Sequence, residues 1–221
     1  MFNGAIAFNN IFWNEGYTGY NSATGQSIGT PSYTFFNNSE VAKLSLTFYS
    51  NASFDVTIPI TGTDVKVNIL WGDGITSIDV DPNTTTHTYN TGTYTAIIHL
   101  QSGTVSGFGI NDWNGANQLT KIETQDTSTW NLGNNTTSFA YLCKGSSLIT
   151  TIPSQIPSSN DWNTSSVTDM NNMFNGASAF TGNISNWDTS SVTNMSGMFN
   201  GADAFNADIS GWTTNSITDM S

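Results

Sequence analysis

Arginine is absent from this 221-residue sequence, and four lysines stand against sixteen aspartates and glutamates, a formal net charge of −12. A chain so short of positive charge repels phosphate backbones, so a nucleic-acid partner is excluded for want of a basic footprint. Anionic membrane surfaces are disfavoured on the same ground. Cysteine occurs once, as Cys143, which rules out an internal disulfide and a cysteine-based zinc site. No apolar run approaches the roughly 18 residues of a membrane span, so no direct membrane insertion is expected of this segment. The opening "MFNGAIAFNN" has neither a basic start nor a long apolar core and does not read as a signal peptide. Histidine is nearly missing too: only His87 and His99 are present, without ligand-spaced partners.

What remains is polar but uncharged. Charged residues are 9% of the chain and hydrophobic ones 37%, with thirteen Phe, so a folded core is expected and Asn, Thr, Ser and Gly must supply solubility.

A repeat organises the C-terminal part. Trp162, Trp187 and Trp212 recur at a step of 25 residues, and Val167, Val192 and Ile217 keep the same step. So do Met170, Met195 and Met220, while Met173-Phe174 matches Met198-Phe199. A fixed period of this size predicts a solenoid in which each 25-residue coil buries its apolar face on its neighbours. The repeated Trp, Met and Phe positions are then core. Within a coil, "SSVTDM" reads as a short strand, "NNMFNGASAF" as a helical turn and "TGNISNW" as a turn. The strands would line one face with Thr168, Thr193 and Thr218 and with Asp169, Asn194 and Asp219, a candidate binding face. Val-x-x-Met spacing leaves open which of these point outward.

The N-terminal segment Met1–Phe8 aligns with Met173–Phe180 and Met198–Phe205, and the closing "SITDMS" aligns with Ser191–Ser196. Residues 1–13 therefore read as the tail of a preceding repeat. The expectation is a window cut from a longer chain, with export signal and anchor outside it.

Residues 14–40, rich in Gly, Ser, Thr and Asn, read as a linker. From 41 to 105 short β-branched and aromatic runs alternate with Gly, Asn, Asp and Pro clusters, the spacing of an antiparallel sandwich. Within it, "VNILWGDG" followed by "HTYNTGTYTAIIHL" resembles a PKD domain, an immunoglobulin-like sandwich of surface proteins. Trp71, Gly72, Asp73, Gly74, His87, Tyr89, Gly92 and Tyr94 fill the family's motif in order, and the resemblance implies scaffold or spacer duty. The 25-residue units resemble those of BspA-like leucine-rich-repeat surface proteins, which read W-(D/N)-x-S-x-V-T-x-M-x-x-M-F. Residues 106–160, with "QLTKIET" and "STWNLGNNTTSFAYLCKGSSLITTIP", are similar to that family's irregular entry coils, and 161–221 to its regular repeats. "KIETQDTSTW" departs from the pattern, lacking the expected Trp-Gly after the glutamate. The fold class expected is thus mainly β: a PKD-like sandwich followed by a leucine-rich-repeat-type solenoid.

No catalytic constellation is legible. His87 reads as a structural corner residue, His99 as a strand position and Cys143 as a small core residue. Asp73, Asp79 and Asp81 gather oxygen ligands of the kind calcium takes, but the spacing is not an EF-hand loop, and solvated turn carboxylates are the simpler reading. No other cofactor is implied. Asn-x-Ser/Thr triplets at Asn51, Asn83, Asn134 and Asn183 are expected by chance in this composition. The function the resemblances imply is that of an extracellular or cell-surface adhesion module, not an enzyme, contacting a protein or glycan on another cell. The alternative is an ice- or carbohydrate-binding solenoid, built on the ladders Thr164/Thr189/Thr214 and Thr168/Thr193/Thr218 or on exposed aromatics.

Overall fold

The computed structural model describes residues 20–21, 26–27, 43–124, 136–152 and 162–221. The chain divides into two compact units, Met1–Glu40 and Val41–Ser221. In the first, β1 (Tyr20–Asn21) pairs antiparallel with β2 (Gln26–Ser27). The Met1–Phe8 repeat alignment and the rest of the 14–40 linker lie outside the described residues.

The second unit begins with β-strands that bury most of their apolar side chains, together with the polar Ser45 and Asn68. In β3 (Lys43–Ser50), Leu44, Leu46 and Phe48 are buried while Tyr49 is exposed. In β4 (Phe54–Val56), Phe54 and Val56 face inward and Asp55 outward. β5 (Ile60–Leu70) buries Val65, Val67 and Ile69, and β6 (Thr76–Val80), β7 (His87–Tyr89) and the long β8 (Gly92–Phe108) follow. A single 3₁₀ turn, Ala116–Gln118, leads into β9 (Leu119–Thr124). β6-β5-β8-β3-β9 form one antiparallel sheet and β4-β7 a second. Phe48 of the larger sheet meets Phe54 and Tyr89 of the smaller at centroid distances of 6.4 and 6.2 Å.

The strand region runs past the expected boundary at 105. "QLTKIET" is not an entry coil: Leu119–Thr124 adds to the sheet edge beside β3, with Leu119 and Ile122 buried. A register shift between Thr47 and Phe48 puts its inward residues three apart, which hides the period-two signal of a strand. Residues 125–135, where the sequence departs from the repeat pattern, lie outside the described residues.

Beyond β9 the described chain has neither helix nor extended strand; it is a stack of turns. Parallel single-residue bridges join Gly107 to Ser138, Ser138 to Asp169, Asp169 to Asn194 and Asn194 to Asp219. Alternate backbone N–H groups reach the next turn: Met170 N–H donates to Asn194, Asn172 to Ser196, Phe174 to Met198 and Gly176 to Asn200. The intervening ones close turns within the repeat, as Met173 to Met170 and Ala177 to Phe174. This alternation leaves no consecutive i to i−4 bonds, so the helical turn expected at "NNMFNGASAF" is replaced by β-turns, and the expected strand shortens to one bridged residue.

Candidate functional site: the motif corner, the repeat face and their junction

The eight residues of the Trp-Gly-Asp-Gly…His-x-Tyr…Gly-x-Tyr pattern converge. Trp71 is fully buried, and its indole N–H donates to Ser77 Oγ at 3.0 Å. The His87 ring stacks on it at 4.6 Å, and Tyr89 donates its hydroxyl to the Trp71 carbonyl at 2.5 Å. Tyr94 stacks on Tyr89 at 4.4 Å. Asp73 accepts the Ile75 N–H at 3.0 Å and lies 2.8 Å from His87 Nε2. Partial burial pushes the Asp73 carboxyl up, but the Ile75 N–H and the His87 contact outweigh it and hold the group below its usual value. Gly72 has φ of +85°, and a Cβ there would lie 2.5 Å from the Thr95 carbonyl oxygen, so no other residue fits this approach. Gly74 and Gly92 also hold positive φ.

The three aspartates, read as turn carboxylates and weighed against calcium ligation, do not form one cluster. Asp73 belongs to this corner, Asp81 pairs with Lys66 at 3.0 Å, and Asp79 is an exposed residue of β6 at φ 53°. Among the described residues no three His, Cys, Asp or Glu side chains gather as metal ligands. His99 is 3% exposed, and Cys143 is fully buried, with burial pushing its thiol up.

In the stack, Trp162, Trp187 and Trp212 lie in one column, 6.3 and 6.4 Å apart and nearly parallel. Phe174 stacks on Phe199 at 5.7 Å and Phe180 on Phe205 at 5.8 Å. Met170, Met173, Met195 and Met198 are buried, whereas Met220, in the last repeat, is exposed. These are the positions that the 25-residue step assigns to the core.

The polar positions sort into two kinds. Thr168, Thr193 and Thr218 are exposed, and each hydroxyl donates to a carbonyl one repeat earlier, of Thr137, Thr168 and Thr193, at 3.2, 3.1 and 3.0 Å. Asp169, Asn194 and Asp219 each accept the N–H two residues on at 3.0 Å, closing a turn with the side chain. Asn183 and Asp208 repeat the device, as do Asn163 and Asp188. The abundance of Asn and Asp is thus partly structural. Thr164 and Thr189, by contrast, are buried. Thr164 Oγ1 accepts the Asp188 N–H, and Thr189 donates to Thr213, so the Thr164/Thr189/Thr214 ladder does not form an outward face. The stack tryptophans are likewise absent from the exposed large apolar side chains.

The stack starts earlier than the tryptophan period indicates. Thr137-Ser138-Phe139, Leu142-Cys143 and Gly145 occupy the places of Thr168-Asp169-Met170, Met173-Phe174 and Gly176, at a step of 31 rather than 25. The six extra residues fall between Thr150 and Trp162, and most of them lie outside the described residues. A gap-free comparison at a step of 31 would have found this repeat. Its upper side rests on β8: Thr137 N–H donates to Ser106 and Phe108 N–H to Ser138, at 2.8 and 2.9 Å. Phe108 meets Trp162 at 6.0 Å, so sheet and stack share one core. At Gly109, φ is +133° and a Cβ would lie 2.2 Å from the Ala140 carbonyl oxygen; only glycine lets the strand pass. Trp113 Nε1–H donates to Leu142, and Ser146 donates to Ala116, pinning the loop after β8 to the first repeat.

Residues 137–221 are similar to a family described as Mycoplasma protein of unknown function, DUF285. That match begins where the bridged ladder leaves β8. No curated protein and no solved structure matches the chain significantly. No helix among the described residues is long and apolar enough to cross a membrane.

Proposed function

We propose that this chain is a non-catalytic binding module of an exported surface protein. In this reading the stack is a leucine-rich-repeat-type solenoid of the BspA-like kind, and the paired sheets are a PKD-like sandwich that serves as its spacer. The carrying observation is the exposed column Thr168, Thr193 and Thr218, kept in register by a hydroxyl bond to each preceding repeat. Because each hydroxyl proton is committed to the preceding repeat, the column offers fixed hydroxyl oxygens and methyl groups at an exposed surface beside Asp169 and Asp219. Such a pre-ordered face loses little side-chain freedom on binding, which favours an extended protein or glycan partner on another cell. The motif corner supports the spacer role, since Asp73, His87, Tyr89 and Trp71 satisfy one another.

The test is binding of the purified chain to immobilised host-cell and matrix components, beside a variant with Thr168→Arg and Thr193→Arg. Saturable binding that the double variant loses while keeping its melting temperature is expected. Absence of saturable binding across the panel, or equal binding by both proteins, rejects the proposal.

A further inference from the structure

The loop after β8 and the first repeat enclose a cleft of about 420 Å³, bounded on a third side by β4. We propose that this cleft is a binding site for a short neutral saccharide, separate from the threonine column and independent of the adhesion reading.

Two observations carry it. The first is Tyr141. In the second and third repeats its position is held by Asn172 and Gly197, and in all three the backbone is left-handed, with φ of 64°, 52° and 62°. Asn and Gly tolerate that conformation, whereas a tyrosine gains nothing from it locally. Only the first repeat, where this slot faces the cleft, carries an aromatic ring. Asp112, across the cleft, is also left-handed, at φ 56°. Aspartate adopts this region readily, as Asp64 and Asp79 do elsewhere in the chain, so Tyr141 is the residue whose side chain the backbone alone would not choose.

The second is the chemistry of the lining. Lys144 Nζ lies 5.3 Å from the Tyr141 ring centre and bonds Asn111 Oδ1 at 2.9 Å and Asp112 Oδ1 at 3.2 Å. Asp55, which accepts the Thr88 hydroxyl at 2.6 Å, lines the same cleft. The Asn117 amide is both donor and acceptor. Lys144 is neutralised by its pairing with Asp112, so the Asp55 carboxylate sets the net charge of the lining and disfavours an anionic ligand. Hydroxyl groups both donate and accept, so a polyol satisfies acceptor-only carboxylates and a donor-only ammonium together, while the ring takes its C–H face. A concave site with one aromatic and a few convergent polar groups is the usual form of a small-ligand pocket.

The test titrates the full chain with neutral hexoses and their disaccharides, with uronic acids and hexosamines as charged controls, by saturation-transfer NMR and calorimetry. Tyr141→Asn places the second repeat's residue in the slot. It is expected to keep or raise the melting temperature while weakening saccharide binding at least tenfold, and to leave binding through the threonine column unchanged. No saturable binding of any neutral sugar, binding of charged sugars alone, or unchanged affinity in Tyr141→Asn overturns the proposal. The Thr168→Arg, Thr193→Arg variant should retain the saccharide; loss there would place the site on the repeat face instead and equally overturn it.

Discussion

The Tyr89 hydroxyl donates to the main-chain carbonyl of Trp71 across 2.5 Å in the buried interior between the two sheets. It joins the end of β5 to β7 and fixes the corner in which Gly72, Asp73 and Gly74 turn the chain. Burial raises the phenol's pKa, so the hydroxyl stays protonated and remains a donor throughout the physiological range. Tyr89→Phe keeps the ring stacked on Tyr94 but leaves the Trp71 carbonyl without this donor. The expected loss is about 1–3 kcal/mol, read as a lower urea midpoint at unchanged slope.

Asp73 and Asp188 give the fold an acid limit. Asp73 is held below its usual value by the Ile75 N–H and His87 against the upward push of burial, and Asp188 by the Ser190 hydroxyl and N–H. A carboxyl depressed in the folded state contributes its full stabilisation above the unfolded value of about 3.9, and that contribution is lost as pH falls through the lower folded value. Stability should therefore be insensitive to these groups near neutrality and fall below about pH 4. Urea midpoints measured down the acid range should fall less steeply for Asp73→Asn than for the parent chain. Equal slopes would show that the corner carboxylate is not linked to folding.

Trp187 sits between Trp162 and Trp212 and also meets Phe139 and Phe174 at 6.4 and 6.3 Å. At 3% exposure its removal opens a cavity spanning three repeats. Trp187→Ala should cost about 3–5 kcal/mol, measurable by denaturant titration. The same change at Trp212, only partly buried in the last repeat, should cost less. A result under about 1 kcal/mol at Trp187 would mean that neighbouring repeats collapse to fill the space.

Much of this was readable from the residues because repetition makes burial visible. The large apolar positions that keep the 25-residue step are buried from Trp162 to Ile184, as are Trp187, Val192, Met195 and Met198, while Phe199 and Phe205 are partly buried and Ile209 is exposed. The Trp-Gly-Asp-Gly and His-x-Tyr segments announced a corner because their residue types have few other uses together. What escaped depended on contacts distant in sequence. β9 was hidden by a register shift that spaces Leu119 and Ile122 three apart. The repeat at Thr137 was hidden by six inserted residues and by Phe139 and Cys143 standing for Met170 and Phe174. Alternation could not separate inward Thr164 from outward Thr168, because a stack of β-turns has no constant period. The cleft was invisible since Asp55, Asp112 and Tyr141 come from three segments, and the signal at Tyr141 is a backbone angle.

The threonine column allows its binding role to be separated from its structural one. The Thr168 carbonyl accepts three donors: Thr193 N–H at 2.8 Å, Asn194 N–H at 3.2 Å and Thr193 Oγ1–H at 3.1 Å. Thr193→Val preserves the branched shape and removes only the last of these, at an exposed site where the carbonyl keeps both backbone partners. The cost should be below about 1 kcal/mol, since no buried group is left unsatisfied. Replacing Thr168, Thr193 and Thr218 together by Val should accordingly leave a cooperative thermal transition within a few degrees of the parent. The same triple variant removes every outward lone pair of the column. A partner that reads hydroxyl oxygens should be lost, and one that packs on the methyl groups retained, so surface plasmon resonance of parent and variant on one immobilised partner distinguishes the two modes of contact. A triple variant that unfolds would show instead that the hydroxyl bonds, and not the backbone ladder, hold successive repeats in register.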